Sequence, residues 1–188
     1  MKVNLILFFI ALIGLFFLIK PMSAKSHSNF QMDKAPQEYM IQAFVTSYTE
    51  EGLIKNQMSA KYWAYLPLLH QSTLVIPHLV TFKADGSEWH VDAKQGSAKQ
   101  PNIGVIEQID LWDTVVLQRK ADLKNSPILV ETQTLKYQPK EQYAESESAV
   151  TMTKPDLRIT GIGLRAFLEQ NSVELLHNVK THCSPTAY

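Results

Sequence analysis

Histidine, cysteine and tryptophan are the residue types in this chain whose spacing is relevant to metal binding, nucleophilic chemistry or sugar stacking. No histidine pair has the helical spacing that a metalloprotease site requires around its catalytic glutamate. The six histidines are His27, His70, His78, His90, His177 and His182. His90 with Asp92, or His182 with Cys183, supplies only two ligands, which do not make a metal site. The sequence has neither a G-x-S-x-G elbow nor a glycine-rich phosphate loop, so we predict no enzyme and no cofactor.

The balance of acidic and basic residues argues against nucleic-acid binding. The chain has 18 Lys and Arg residues against 18 Asp and Glu residues, so it has no basic field that would attract nucleic acid. Cys183 is the only cysteine, which rules out an internal disulfide. Beyond the first 22 residues, roughly 160 residues remain, which is enough for one domain with one core.

The N-terminus predicts a membrane anchor. An apolar run covers residues 3–19 between Lys2 and Lys20, and Asn4 is its one polar residue. As a helix at ~1.5 Å per residue the run would cover roughly 25 Å of the ~30 Å hydrocarbon core, and the flanking lysines can reach the interfaces. We predict a transmembrane helix within residues 1–22.

A cleaved signal peptide is the alternative interpretation of the same run, because small residues follow at Ser23 and Ala24. The run is longer than the ~7 to 15 residues of a usual signal core, which favours the anchor. Basic residues flank the apolar run on both sides, so they do not determine its orientation in the membrane. Only two residues precede the run, so we expect the working domain beyond it, after a polar linker over residues 23–38.

From Tyr39 onwards the apolar residues alternate at period two, and the runs are rich in Thr, Val, Ile, Tyr and Trp, which predicts an all-β domain over residues 39–188. The predicted strands are 41–49, 53–63, 72–83, 87–93, 104–109, 114–119, 128–137, 147–153, 156–161, 164–169 and 172–180. Gly52 and Gly86 mark hairpin turns. Gly161 and Gly163 mark a bulge or a close approach of strands.

Four stretches of this chain occur in the same order as similar stretches in one known protein family. They are 48–63 (YTEEGLIKNQMSAKYW), 77–93 (PHLVTFKADGSEWHVDA), 129–137 (LVETQTLKY) and 159–180 (ITGIGLRAFLEQNSVELLHNVK). With the apolar run, they resemble the LptC family of membrane-anchored lipopolysaccharide-export proteins, whose domain is related to the bridge protein LptA. Phe82, Trp89 and Val91 look like part of the family's central hairpin. The register of 108–119 stays open, because Asp113 and Thr114 stand where the family often has Gly-Asn or Gly-His.

The resemblance implies a twisted antiparallel β-jelly roll, an open sandwich, in the periplasm, held to the inner membrane by one N-terminal transmembrane helix. It implies that the chain receives lipopolysaccharide from an inner-membrane ABC transporter and passes it to LptA. Exposing each acyl methylene to water costs ~0.8 kcal/mol, so such a carrier needs a continuous apolar slot.

Alternation and the match to the family together give candidates for the wall of that slot. They are Ala43, Val45, Met58, Leu74, Ile76, Phe82, Trp89, Val91, Ile159 and Val173. The plainer interpretation is that each of these residues fills an ordinary closed core. Open sheet edges can add a neighbour's strand, so we expect 41–49 to meet the transporter and 172–180 to meet the next jelly roll. The side chains of this second docking edge are Val173, Leu175, His177 and Val179.

Two other functions remain open at this point. One is a membrane-anchored periplasmic scaffold that binds protein partners and no lipid. The other is a secreted hydrolase or carbohydrate-binding domain, in which Trp63, Trp89 and Trp112 would stack on sugars, although tryptophan more often fills a core.

Overall fold

The computed structural model describes residues 38–101 and 105–183. These residues form ten antiparallel strands, which confirms the predicted all-β fold and is consistent with a jelly roll. The strands are β1 Glu38–Tyr48, β2 Ile54–Leu66, β3 Gln71–Phe82, β4 Glu88–Asp92, β5 Gln95–Lys99, β6 Gln108–Arg119, β7 Ile128–Gln138, β8 Tyr143–Lys154, β9 Leu157–Phe167 and β10 Ser172–Cys183. In these residues no helix is long and apolar enough to span a membrane. The predicted anchor and the linker up to residue 37 lie outside them.

The strands form one sheet in the order β1-β2-β3-β4-β6-β7-β8-β9-β10, and β5 lies off this path. Both β4 and β5 pair with β3 on one side and β6 on the other, at different heights along those strands. β4 and β5 therefore lie end to end between β3 and β6, and Ala93 and Lys94 separate them. Every neighbouring pair is antiparallel. Within residues 38–101 and 105–183, β1 pairs only with β2 and β10 only with β9, so these two strands form the free edges of the sheet.

A line of backbone irregularities crosses the sheet from edge to edge. Left-handed φ values occur on β1, β3, β6, β9 and β10, at Gln42, Ile76, Asp113, Thr114, Gly163 and Asn178. Between them, the Ile76 amide donates to the Lys94 carbonyl (2.8 Å) and the Lys94 amide donates to the Asp113 carbonyl (3.1 Å). Because a positive φ turns the backbone out of the extended direction, the strands bend along this line.

The bend divides the sheet into two layers. Layer A contains residues 43–48, 54–60, 77–82, 88–92, 115–119, 128–132, 149–154, 157–161 and 179–183. Layer B contains residues 38–41, 62–66, 71–75, 95–99, 108–112, 134–138, 143–146, 164–167 and 172–176. Strand pairing stays within each layer, and contacts such as the 2.6 Å hydrogen bond between the Thr81 and Tyr137 hydroxyl groups join the two layers.

The hydrophobic core lies between the layers, and both layers contribute to it. Layer A supplies the fully buried side chains of Trp89 and Leu117, and layer B supplies those of Leu74, Ile109 and Leu135. Burying this apolar surface is the main favourable contribution to folding. Since residues on both sides of each bend belong to one cluster, the bends determine which side chains face inward.

The bends also explain where the predicted strands differ from the observed ones. Residues 108 and 109 of the predicted strand 104–109 lie on the same strand, β6, as the predicted strand 114–119, because Asp113 and Thr114 form a bulge within that strand. Likewise, residues 157–161 and 164–167 of the predicted strands 156–161 and 164–169 lie on one strand, β9, which continues through Gly163. Strand β5 was not predicted, since its sequence, QGSAK, lacks the β-branched and aromatic residues that indicate strands.

Candidate functional site

A cavity of about 750 Å³ lies between the two layers on the β1 side of the domain. Its layer A wall comes from the end of β1, the start of β2 and the end of β3, and its layer B wall comes from residues 105–107, β6 and the β7–β8 turn. Apolar side chains on these walls include Val45, Met58, Leu79, Ile106 and Ile109. Sites for small molecules commonly occupy ~300–1,000 Å³ and are mostly apolar, so this cavity has the size and lining of a binding site.

The mouth of the cavity is polar. Lys99 and Glu107 form an ion pair there, with 3.0 Å between the ammonium nitrogen and the carboxylate oxygen. Lys55, Lys140 and Glu141 also line the cavity. An apolar interior with a charged rim suits an amphipathic ligand whose apolar part enters and whose polar part stays near water.

The interior is closed on the side near the β9–β10 turn. The Trp89 indole nitrogen donates to the Asn171 side-chain oxygen at 3.1 Å, which joins β4 in layer A to that turn. The Asn171 amide nitrogen lies 3.5 Å from an Asp85 carboxylate oxygen. Hydrogen bonds from the Ser87 hydroxyl and amide hold the pKa of Asp85 well below its usual range. The Arg119 guanidinium lies over the Trp89 ring, 5.3 Å from its centroid.

Only some of the predicted wall residues reach this cavity. Val45 and Met58 line it, and Phe82 lines a neighbouring recess of about 430 Å³. The closed core takes up Ala43, Leu74, Trp89 and Val91, and two more, Ile159 and Val173, pack against it while partly buried.

Ile76 departs from its predicted inward position. Its side chain is 54% exposed, although it shares the parity of buried Leu74. The reason is the bend in β3: Ile76 has a φ of 51°, which shifts the alternation, so that Pro77 and Leu79 are buried instead. Pro77 was the available signal, because proline within a strand marks an irregularity.

Sequence reasoning also missed Leu79, Ile106, Ile109 and Tyr137 as cavity residues. Leu79 was missed because the alternation changes at the bend. Ile106 and Ile109 lie where the predicted strand boundaries were wrong, and Ile106 precedes the first residue of β6. Tyr137 was predicted to lie on a strand, but alternation alone does not distinguish a cavity wall from a closed core.

The predicted structural glycines lie at turns and close contacts. Gly52 and Gly86 occupy turns with φ values of 81° and 83°, which favour glycine. A Cβ atom on Gly161 would lie 3.1 Å from the His177 carbonyl oxygen, so β9 and β10 approach closely there. Gly163 lies on the bend line, with a φ of 77°.

The two free edges carry different side chains. β1 exposes large apolar residues, among them Ile41 (70% exposed) and Phe44 (64% exposed). β10 is mostly polar, and in the predicted docking set Val173 and Leu175 are partly buried against the core whereas His177 and Val179 are exposed. Both edges keep backbone groups available for pairing with another strand.

The folded sheet is similar to a solved structure of a lipopolysaccharide-transport component. That structure is LptH from Pseudomonas aeruginosa, described as the LptA homologous periplasmic component of the lipopolysaccharide transport device. The TM-score is 0.54 at 10% sequence identity, and the match covers 69% of this chain and 95% of that chain. At this identity the similarity shows the fold alone: the described domain has a fold like that of LptH.

The family comparison goes further. The model of the LptC-related lipopolysaccharide-assembly family matches residues 4–184, and the chain belongs to this family. No curated protein matches the sequence. Family membership gives the chain a role in lipopolysaccharide transport, as a transport component with a periplasmic domain.

Proposed function

We propose that this chain is an inner-membrane-anchored transfer station that takes lipopolysaccharide from an ABC transporter and passes it to the periplasmic bridge protein LptA. The observation that carries the proposal is the cavity of about 750 Å³ between the layers, which is apolar inside and charged at its mouth. In a chain of the LptC-related family, a cavity of this kind fits the acyl part of the transported lipid.

Acyl chains need such a shelter because each methylene left in water costs ~0.8 kcal/mol. The cavity is the size of a site for a drug-like molecule, so it would hold part of a lipid that has several chains. The phosphorylated sugar part would remain at the mouth of the cavity that Lys55 and Lys140 line. The wall would consist of Val45 and Met58 from the predicted set, together with Leu79, Ile106 and Ile109.

The two edges supply the connections for transfer. Strand β1 would meet the transporter side, because its exposed apolar side chains and free backbone groups suit pairing with another β domain. Strand β10 would meet LptA through its own free edge. A head-to-tail arrangement of this kind does not close into a ring, so it can extend into a bridge.

The remaining parts of the proposal rest on the sequence. Residues 1–22 would anchor the chain in the inner membrane, and residues 23–38 would link the anchor to the periplasmic domain. The sequence has no phosphate-binding loop, so the energy for directed transport would come from the transporter. The chain would then act as a passive station.

A second candidate is a membrane-anchored periplasmic scaffold that binds protein partners and no lipid. The observation that favours it is the apolar character of β1, which would suit a protein interface without any cargo. The two candidates differ in whether a lipid enters the cavity.

The test is lipopolysaccharide binding by the full chain in detergent, measured with a fluorescently labelled lipid. Ile106→Trp adds bulk to a cavity wall, whereas Ile162→Trp makes the same change at an exposed position on β9 outside the cavity. We expect the wild type and Ile162→Trp to bind the lipid and Ile106→Trp to lose most of the binding. Binding that is equal in all three proteins would contradict the cavity as the site, and no binding by any of them would favour the scaffold.

A further inference from the structure

The contact between Trp89 and Asn171 closes the interior at the point where β10 begins. Trp89 is fully buried on β4, and Asn171 is the residue before Ser172, the first residue of β10. The 3.1 Å hydrogen bond between them joins layer A to the β9–β10 turn of layer B. The Asn171 amide nitrogen also approaches Asp85, on the β3–β4 turn, at 3.5 Å. One side chain therefore holds two turns of opposite layers together.

The closed arrangement leaves Arg119 incompletely satisfied. Its guanidinium lies over the Trp89 ring, and its Nη2 donates to the Ser126 carbonyl oxygen at 2.9 Å. Its Nε and Nη1 are buried and have no hydrogen-bond partner in residues 38–101 and 105–183. Asp85 and Asp122 are the nearby carboxylates whose charge acts on Arg119. Leaving buried donors unpaired costs free energy. A rearrangement that brought these donors of Arg119 to a carboxylate would therefore offset part of the free energy lost when the Asn171 contacts break.

The position of this contact relates the cavity to the two edges. The cavity opens on the β1 side, whereas Trp89 and Asn171 lie on the side of the β9–β10 turn. On the proposed route from β1 to β10, a lipid chain would leave on the side where Trp89 and Asn171 lie. A strand that paired with the start of β10 would act directly on the turn that carries Asn171.

We propose that Asn171, Trp89 and Asp85 form a gate at the β10 end of the interior, which a protein docked on β10 opens. In the closed state Asn171 binds Trp89 and lies beside Asp85, which also accepts hydrogen bonds from Ser87 and pairs with Lys83 at 3.2 Å. In the open state the β9–β10 turn moves away, and Arg119 moves toward Asp85 in the space that Asn171 leaves. This inference rests on the proposed function, and it adds that the exit for lipid opens only when the acceptor is in place.

The first experiment measures release of fluorescent lipopolysaccharide from the full chain in detergent, with and without LptA. Trp89→Phe keeps an aromatic ring but removes the donor, and Asn171→Gly keeps the left-handed backbone but removes the acceptor. We expect both variants to release lipid without LptA about fivefold faster than wild type. This factor corresponds to the loss of one hydrogen bond with a typical net contribution. Trp112→Phe, the same change at an exposed tryptophan, should behave like wild type.

The second experiment needs no lipid and follows amide hydrogen exchange at residues 168–171. Docking of LptA on β10 should speed exchange at this turn in the wild type and change it little in Trp89→Phe, whose turn is already released. Failure of the wild type to take up lipid would count against the transfer function alone, since the exchange readout is independent of it. Slower exchange at the turn on docking, or equal lipid release by Trp89→Phe and Trp112→Phe, would overturn the gate.

Discussion

The two ends of the folded sheet differ in edge chemistry and in how the layers are joined. At the β1 end, the edge strand is apolar and the interior is open as a cavity. At the β10 end, the edge strand is mostly polar and the interior is closed by Trp89 and Asn171. Free edges usually carry features that prevent unwanted pairing. Two edges with different side chains can select two different partners, which one symmetrical domain could not do.

At each end a side-chain hydrogen bond joins the two layers. Near the cavity, the hydroxyl groups of Thr81 and Tyr137 lie 2.6 Å apart, and at the closed end the Trp89 indole binds Asn171. Buried polar groups must be paired, so each contact fixes the position of one layer on the other. The cavity-side contact lies in the cavity wall and leaves space beside it, whereas the contact at the other end runs from the buried Trp89 to the half-buried Asn171.

Trp89→Ala should give the largest loss of stability, because it removes a fully buried indole from the closed end. We expect the free energy of unfolding to fall by about 3–5 kcal/mol, measured by urea denaturation. Trp112→Ala is the matched control, since Trp112 is 41% exposed, and it should cost less than about 1 kcal/mol. Similar losses in the two variants would show that the closed end is not packed as described.

Tyr137→Phe tests the contact at the cavity end. It leaves the buried Thr81 hydroxyl without its partner, so we expect a loss of about 1–3 kcal/mol at neutral pH. Burial raises the pKa of Tyr137 to about 12 from its ordinary value of 10.0. The contribution of the protonated Tyr137 hydroxyl to the free energy of unfolding is therefore complete below pH 10. It falls by roughly 1 kcal/mol per pH unit as the pH approaches 12, because the unfolded chain loses the proton first.

The measurement for Tyr137→Phe is urea unfolding of both proteins from pH 9 to pH 12. The other tyrosines and the lysines are common to both, so the difference between the two curves isolates Tyr137. We expect the wild-type curve to fall more steeply than the variant curve above pH 10. Parallel curves would contradict the burial of this hydroxyl.

The sequence predicted most of the strands, but it did not predict the bends that decide which side chains face the cavity. Alternation correctly gave buried Leu74, Trp89 and Val91, because each lies in an unbroken run. It failed at Ile76, where a single left-handed residue reverses the parity of everything that follows on β3. No residue type there demands a positive φ, and Pro77, the next residue, was the one local sign of an irregularity.

The predictions for β6 and β9 show the same limitation. Residues 110–113 were predicted to separate two strands, yet neighbouring strands carry the pairing across the bulge at Asp113 and Thr114. Long-range pairing of this kind is absent from a local pattern. The asymmetry between apolar β1 and polar β10 is visible in the sequence, but the cavity beside one and the closed end beside the other depend on how the two layers meet.

Asn171→Ala should have a smaller effect than the two core substitutions, and it affects only the β10 end. It removes the acceptor for Trp89 and places alanine at a φ of 53°. We expect a loss of about 1–2 kcal/mol on urea denaturation, from the hydrogen bond and the backbone strain together. Asn171→Gly removes the strain but not the loss of the bond, so it should be the milder variant. Equal stability of Asn171→Ala and wild type would show that the bond contributes nothing to closure.

The smallest effect on stability, and the sharpest test of the two edges, comes from Phe44→Ser on β1 and Val179→Ser on β10. Both side chains are at least half exposed, so each substitution should change the free energy of unfolding by less than about 0.5 kcal/mol. Binding should nevertheless separate them, because each removes apolar contact area from one docking edge only. We expect Phe44→Ser to weaken association with the transporter, and Val179→Ser to weaken association with LptA, each by roughly fivefold in pull-down titrations. If both variants weakened the same association, the edges would not be specialised. The different side chains of β1 and β10 would then reflect solubility and not partner choice.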